Sequence, residues 1–180
     1  MPAGPEDAYA AATRVYLSGA RLDMRDLARE LGISRNTLYR WTGGRDELLQ
    51  DVIWRLSEHA IAEIWASTSR RRGASRLRAA LRRYVETVVG SEPLLALLRT
   101  ETHAALRLLT ARGRFQDRLV AEVARLMREE ADRGTWSPRA DTDTLAYAVV
   151  RLIEGVVYND AIVQRDTAVD DAMTVIDLLV

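Results

Sequence analysis

The chain has 180 residues, of which 48% are hydrophobic and 29% charged, and its formal net charge at pH 7 is zero. This length and composition suffice for one or two soluble globular domains with a full core. The absence of cysteine excludes disulfides, thiolate catalysis and cysteine-bound metals, and it fits a reducing cytoplasm.

The first residues, MPAGPEDAY, do not join a basic start to an apolar run, and no stretch of about 18 apolar residues occurs in the sequence. We therefore expect a cytoplasmic protein that neither is secreted nor crosses a membrane.

The first predicted helix begins at Pro5, a position at which a helix tolerates proline, and ends at Ser18 and Gly19. Ala8, Ala12 and other apolar residues lie on one side of it at helical spacing. Asp23 is suited to cap the second helix, because its carboxylate accepts from free backbone N–H groups.

The segment Met24–Trp41, MRDLARELGISRNTLYRW, has the spacing of a helix-turn-helix. Ala28 lies where the two helices cross and a larger side chain would separate them, and Gly32 lies where the chain turns with a positive φ. Leu38 faces inward, and Ser34 caps the second helix. This combination predicts a DNA-binding unit.

The second helix of this unit presents polar groups on its first turns, where a recognition helix meets base edges and phosphates. Two ordinary short helices joined by a glycine are the alternative. The inner positions, the cap and the outer polar set all match together, which favours the helix-turn-helix. The predicted DNA-binding residues are Arg25, Ser34, Arg35, Asn36, Thr37, Tyr39, Arg40, Trp41 and Arg45.

The charge distribution supports this orientation, although the net charge of zero does not. Residues 21–45 carry six arginines against three acidic residues, whereas residues 132–180 carry nine acidic residues against four arginines. Since neutralising phosphates is the main source of affinity for DNA, we expect the basic end to meet DNA and the acidic end to face away.

The rest of the chain is predicted to be helical, with breaks at glycine and proline. The arginines at 70–72 are interpreted as a solvated turn rather than a DNA contact. The prediction is an all-α fold with a three-helix helix-turn-helix domain over residues 1–48 and a helical ligand-binding and dimerisation domain over 49–180. The predicted later helices are 45–68, 75–89, 92–109, 114–133, 143–163 and 168–179.

The first 50 residues resemble the N-terminal domain of TetR-family transcriptional regulators, through Leu-Tyr-Arg-Trp at 38–41 and Gly-Gly-Arg-Asp-Glu-Leu-Leu at 43–49. The resemblance implies phosphate contacts by Tyr39 and Arg45 and base contacts by the residues at 35–37. Asp23 departs from the family, which often has a phosphate-contacting threonine there. A carboxylate at this place would repel the phosphate.

Two later segments, LRTETHAALRLLT and DTLAYAVVRLIEGVVYNDAI, resemble the C-terminal domain of a TetR subgroup named for a repressor of quorum-sensing signal degradation. The resemblance implies a small-molecule effector, with a lactone-type signal as one candidate.

Four polar and aromatic residues of the helix predicted over 143–163 follow each other at steps of four, three and four. They either form the polar wall of a pocket or a solvent-exposed line with an ordinary Arg–Glu pair. A preceding helix contributes three weaker candidates. The predicted ligand-binding residues are Tyr147, Arg151, Glu154 and Tyr158, with Arg99, Glu101 and His103.

The same helix carries an apolar stripe too wide for a single core contact, and the last helix is similar. Two such helices from each subunit would form a four-helix bundle between copies of the chain. The alternative is a monomer that buries the whole stripe in its own core. The predicted interface residues are Val149, Leu152, Ile153, Val156, Val157, Val175, Ile176 and Leu179.

Neither histidine lies at a metal-binding spacing, and the sequence contains no catalytic or nucleotide-binding motif. We therefore expect no enzyme, metal or cofactor. The sequence favours a dimeric repressor that binds a near-palindromic DNA operator and is released by a small molecule. The alternative is a helical small-molecule-binding or adaptor protein that has lost specific DNA binding, for which Asp23 and the neutral net charge are the best support.

Overall fold

The structure is a computed structural model that describes residues 3–110, 115–163 and 168–180. These residues form ten α-helices and no β-strand, so the predicted all-α fold is confirmed over them. None of these helices combines the length and apolar character that a membrane span requires. In chain order the helices are α1 (Pro5–Leu17), α2 (Met24–Glu30), α3 (Arg35–Thr42), α4 (Arg45–Ser67), α5 (Gly73–Val89), α6 (Glu92–Thr100), α7 (Thr102–Thr110), α8 (Phe115–Asp132), α9 (Thr142–Val163) and α10 (Val169–Leu179).

The first three helices pack around a small core of their own. α1 contacts α3 and α4, and α2 packs against α3. The side chains of Ala8, Ala12, Leu38 and Leu48 are fully buried where these helices meet. Because small alanines line α1, the neighbouring helices approach it closely, and α4 continues from this core into the remainder of the chain.

The remaining helices form a larger bundle in which α8 and α9 pack along each other and α10 lies against α5 and α9. Its interior contains fully buried side chains from several of these helices, among them Leu98, Leu108, Met127, Val149 and Ile176. The predicted starts at 143 and 168 each lie within one residue of the observed helices. The predicted start of the preceding helix, Arg114, lies outside the described residues.

One predicted helix is two. The helix predicted over 92–109 breaks at Glu101, whose φ of −130° and ψ of 43° are not helical, and α7 begins at Thr102. The hydroxyls of Thr100 and Thr102 donate to the carbonyls of Ala96 and Leu98. No glycine or proline marks this break. We attribute it to tertiary contacts, because Glu101 turns towards Arg21, between α1 and α2, and Arg45, at the start of α4.

A buried ion pair of Arg76 and Glu130 joins α5 to α8, and Arg76 also donates to the Trp65 carbonyl near the end of α4 at 2.9 Å. Glu130, 1% exposed, accepts from the Gly73 N–H at 2.6 Å, from Arg76 at 2.9 Å and from Thr135 at 2.7 Å. Gly73 has a φ of +56°, and a Cβ there would lie 2.1 Å from the Thr135 carbonyl oxygen. This contact starts α5 at Gly73, two residues before the predicted start.

Candidate DNA-binding surface and ligand cavity

The α2–α3 turn has the local geometry that the sequence predicts. Ala28 is 2% exposed at the crossing of the two helices, and Gly32 has a φ of +65°. The N–H of Ile33 donates to the Ala28 carbonyl at 3.0 Å, which closes the turn. The Ser34 hydroxyl accepts from the Thr37 N–H at 3.1 Å and so caps α3.

One face of α3 is buried against the neighbouring helices, and the opposite face is exposed to solvent. Leu38 is fully buried and Thr42 is 4% exposed, and the Thr42 hydroxyl donates to the Leu38 carbonyl at 2.9 Å. Tyr39 is 41% exposed although it is a large aromatic residue. Of the predicted DNA-binding residues, those that the structure leaves exposed are Arg25, Ser34, Arg35, Asn36, Tyr39 and Arg40, and those half-buried are Thr37, Trp41 and Arg45.

Arg45 differs from the other residues of this set because its guanidinium has partners. Its Nε donates to the Leu22 carbonyl at 2.8 Å, and one terminal nitrogen lies 2.6 Å from a Glu101 carboxylate oxygen. The Nε of Arg21 lies 3.6 Å from the other carboxylate oxygen of Glu101. Arg45 therefore joins the N-terminal helices to the α6–α7 break.

Asp23 is exposed and caps α2. Its carboxylate accepts from the N–H groups of Arg25 at 2.7 Å and Asp26 at 3.1 Å. The hydrogen bond from Asp26, followed by that from Arg25, holds the pKa of this carboxyl below its usual range. The carboxylate is therefore ionised, as the argument for phosphate repulsion requires.

A cavity of about 180 Å³ lies between the N-terminal helices and the larger bundle. Most of its walls are aliphatic or aromatic, and α1 supplies two of its residues. The lining residues are Tyr16 and Leu17 of α1; Ile53, Leu56, Ser57 and Ala60 of α4; Tyr84, Thr87, Val88, Ser91 and Leu94 around the α5–α6 turn; Leu109 of α7; Phe115 and Leu119 of α8; and Ile153, Glu154, Val157 and Tyr158 of α9.

The phenols in this cavity are neutral. Burial raises the pKa of Tyr16 and of Tyr84 to about 12, against weaker opposing effects of hydrogen bonds with Ser91 and Ser57 respectively. Burial also raises the pKa of Tyr158. These three side chains therefore keep their protons at physiological pH and add no charge to the cavity.

Glu154 is the one charged residue among the described residues that line the cavity, and it is 5% exposed. Its Oε2 contacts the Arg151 guanidinium, which also lies against Gln116. Its Oε1 is buried and has no hydrogen-bond partner. Since nearly all buried polar atoms are paired, an unpaired carboxylate oxygen in a residue that lines the cavity is an exception.

The predicted ligand-binding residues are only partly brought together. Glu154 and Tyr158 line the cavity, and Arg151 supports Glu154 from behind. Arg99 and His103 are exposed, and Tyr147, nearer the start of α9, is 53% exposed. Glu101 lies in the contact with Arg45 rather than in the cavity.

The cavity residues that sequence reasoning missed come from helices far apart in the chain. Tyr16, Ser57, Tyr84 and Ser91 carry no local signal, because each becomes part of a wall only when α1, α4 and α5 pack together. Among them, Tyr84 fits the ordinary pattern of a core aromatic residue.

The predicted interface residues divide between the inside of the subunit and its surface. Val149, Ile153, Val157 and Ile176 are at most 5% exposed in the isolated chain, so the structure places them in its own core. The apolar stripe of α9 is wide because the helix packs against the core of its own subunit along most of its length. The outer residues of the predicted set, half-buried or exposed, are Leu152, Val156, Val175 and Leu179.

Large apolar side chains nevertheless remain exposed on α9 and α10. Tyr147 and Val163 on α9 are 53% and 60% exposed, and Val175 and Leu178 on α10 are 44% and 66% exposed. On the same side of α9, a Cβ added to the exposed Gly155 would meet no atom within 4 Å. Tyr147 lies about 160° around α9 from Val163, so we call the surface of Leu152, Val156, Val163, Val175 and Leu178 the outer face of α9 and α10.

Comparison with known proteins gives a consistent result. A family model described as the tetracyclin repressor-like C-terminal domain matches residues 72–180. The structure of the transcriptional repressor QsdR of R. erythropolis, from the TetR family, is 28% identical and superposes with a TM-score of 0.87, covering 97% of this chain and 92% of that one. The fatty acid degradation regulator FadR from Bacillus halodurans is 13% identical with a TM-score of 0.61, over 97% of this chain and 92% of that chain, a likeness of fold alone. No curated protein sequence matches the chain significantly.

Proposed function

Since the chain belongs to the TetR family of transcriptional regulators, we propose that it acts in the cytoplasm as a dimeric repressor. In this proposal the dimer binds a near-palindromic DNA operator, and a small molecule releases it from that operator. The observation that carries this proposal is the exposed polar face of α3, capped at Ser34 and anchored by the buried Leu38. Residues at 35, 36 and 39 face solvent, where base edges and phosphates can reach them.

The second subunit supplies the second recognition helix. A pair of α3 helices separated by roughly one duplex turn reads two half-sites of a near-palindrome. The outer face of α9 and α10 supports such a pairing, because a symmetric interface uses the same apolar patch on both subunits. In this proposal residues 1–48 bind DNA, and residues 49–180 bind the effector and the partner subunit.

The cavity supports the effector role because its walls include part of the DNA-binding unit. Tyr16 and Leu17 belong to α1, which packs on α3, while Glu154 and Tyr158 belong to α9. A molecule that prefers one relative placement of these helices shifts the population towards it, in proportion to its differential affinity. The lactone-type signal suggested by the subgroup resemblance gains no support from the matched proteins.

DNA binding is tested by selecting duplexes from a random pool with the wild-type protein and measuring affinity by fluorescence anisotropy. We expect a near-palindromic sequence to be enriched. Tyr39→Ala should weaken binding to all duplexes, because a phosphate contact carries no sequence information, whereas Asn36→Ala should change the preferred base.

The matched control is Arg70→Ala, which removes an exposed arginine in the turn after α4. α4 has 23 residues and is therefore about 35 Å long, so this change should leave DNA affinity unaltered. If no duplex is enriched, or if Tyr39→Ala and Asn36→Ala both bind like wild type, the chain is a helical small-molecule-binding protein without specific DNA recognition.

A further inference from the structure

The cavity shows which chemical class of effector it accepts. The starting point is Glu154, a residue that lines the cavity and whose Oε1 is buried without a hydrogen-bond partner. Leaving a buried acceptor unpaired is unfavourable, and more so when the acceptor is charged. A bound molecule that donates an N–H or O–H to this oxygen removes that cost.

The charge of the effector follows from the surroundings of Glu154. Arg151 contacts Oε2 and neutralises the carboxylate from behind, and it does not line the cavity. An anionic molecule would therefore meet a carboxylate with no cation among the described lining residues. A cationic molecule would add a second positive charge beside Arg151 and Glu154, whose charges already cancel. The surroundings therefore favour a neutral ligand over an anionic or a cationic one.

The remaining walls set the shape of the effector. Ile53, Leu56, Val88, Leu119 and Val157 present hydrocarbon, and a further apolar cavity of about 30 Å³ shares Tyr84 and Leu119 with the first. An apolar protein cavity of about 150 Å³ accepts a molecule of benzene's size. The 180 Å³ here therefore suits an apolar body of roughly six to eight non-hydrogen atoms.

We propose that the cavity binds a small neutral molecule with an apolar body and one hydroxyl or amide N–H, which donates to Glu154 Oε1. Tyr158, one helical turn further along α9, places a neutral phenol on the same wall. The inference deepens the proposed function, on which its regulatory meaning rests, but the binding step itself requires no DNA.

The test compares probes of similar size that differ in one group: 1-hexanol, methyl pentyl ether, γ-hexalactone, hexanoate and hexylamine. Binding to the full chain is measured by isothermal titration calorimetry without DNA. We expect 1-hexanol to bind at least tenfold more tightly than the ether and the lactone, which accept but do not donate, and than either charged probe.

Three variants locate the effect. Glu154→Gln offers an amide in place of the carboxylate and should reduce the preference for 1-hexanol over the ether to within threefold. Glu58→Gln, on the exposed side of α4, is the matched control and should keep the wild-type preference. Ala60→Leu fills part of the cavity and should weaken the binding of every probe that binds wild type at least tenfold. Circular dichroism checks that each variant keeps its helical fold.

Equal binding of 1-hexanol and the ether overturns the donor requirement, and tightest binding of hexanoate or hexylamine overturns the neutral class. Failure of every probe to bind wild type overturns the inference as a whole. The proposed function fails separately: 1-hexanol that binds the protein but leaves its DNA affinity unchanged supports the ligand class and argues against its role as an effector.

Discussion

Two buried glutamates of the chain differ in how completely their oxygens are paired. Both oxygens of Glu130 accept hydrogen bonds, from Gly73, Arg76, Arg133 and Thr135. Glu154 has one oxygen on Arg151 and one without a partner. The first arrangement stabilises the fold, whereas the second leaves an acceptor for a ligand.

The Glu130 ion pair predicts a pH-dependent loss of stability. Burial raises the pKa of Glu130, but the hydrogen bonds from Thr135, Gly73, Arg76 and Arg133 outweigh it and lower the pKa from 4.5 to about 2. Its contribution is therefore complete above about pH 4.5 and is lost as the pH falls towards 2. Glu130→Gln should cost about 3 kcal/mol of unfolding free energy at pH 7, because it leaves Arg76 buried without its carboxylate.

Urea unfolding of both proteins at several pH values measures this difference, which should shrink as the pH falls below about 4.5. Glu86→Gln, exposed on α5, should change stability by less than about 0.5 kcal/mol. A deficit for Glu130→Gln that is the same at pH 3 as at pH 7 would contradict the assignment.

Asp23→Asn should strengthen DNA binding. Asparagine also caps helices well, so α2 keeps its start while a negative charge near the phosphates is removed. We expect affinity to rise about two- to fivefold, the effect of one exposed charge interaction, in an anisotropy titration. Asp132→Asn removes the same charge at the far end of α8 and should have no effect; unaltered affinity of Asp23→Asn would show that this carboxylate lies away from the phosphates.

At the scale of whole elements, the sequence predicts those parts of the fold whose signals are local. α3 begins after its cap residue Ser34, and α4 begins after its cap residue Gly44. The first residue of α4 is Arg45, as predicted. The break at Glu101 has no such signal, because an ion pair with a distant arginine produces it. The cavity is unpredictable for the same reason, since residues as distant as Tyr16 and Tyr158 share its wall.

α9 shows the limit of pattern reasoning most clearly. Its apolar residues cover more than one face, and the sequence does not reveal which face the chain covers itself. The structure buries Val149, Ile153 and Val157 and leaves Tyr147 and Val163 outside. The interface that we propose uses the same two helices as the prediction, but four of the eight predicted residues, Val149, Ile153, Val157 and Ile176, lie in the core of the subunit.

Leu178→Glu tests the outer face of α9 and α10. Burying an unpaired carboxylate in a subunit interface is unfavourable, so the dissociation constant of the dimer should rise at least tenfold. Ala66→Glu adds the same charge to an exposed position of α4 and should leave self-association intact. Sedimentation velocity distinguishes the outcomes, and a wild-type chain that sediments as a monomer would contradict the proposed dimer.

At the scale of the whole molecule, a cavity wall and an ion pair are among the features that join the DNA-binding unit to the rest of the chain. The cavity wall is supplied by Tyr16 and Leu17, and the ion pair is that of Arg45 and Glu101. Leu94 of α6 and Leu109 of α7 also line the cavity, so the α6–α7 break lies between two helices that a ligand touches. A ligand that changed their placement would move Glu101, the partner of Arg45.

Glu101→Gln should therefore tighten DNA binding in the absence of any ligand. Arg45 keeps its hydrogen bond to the Leu22 carbonyl and its longer contact with Asp46 at 3.6 Å, but it loses its nearest carboxylate and so becomes more available to a phosphate. We expect about two- to fivefold tighter binding by anisotropy, and no change for Glu92→Gln, an exposed glutamate at the start of α6. Weaker binding by Glu101→Gln would instead assign this contact to positioning α3.

The same pair has a consequence for counterions. An arginine already neutralised by a carboxylate displaces fewer cations from the duplex than a free one, so its contact adds little to the dependence of affinity on ionic strength. Each phosphate neutralised by a free arginine steepens the plot of log K against log salt concentration by about 0.9. The slope for Glu101→Gln should exceed that for wild type by about this amount, so a potassium chloride titration reveals whether the operator or Glu101 holds Arg45.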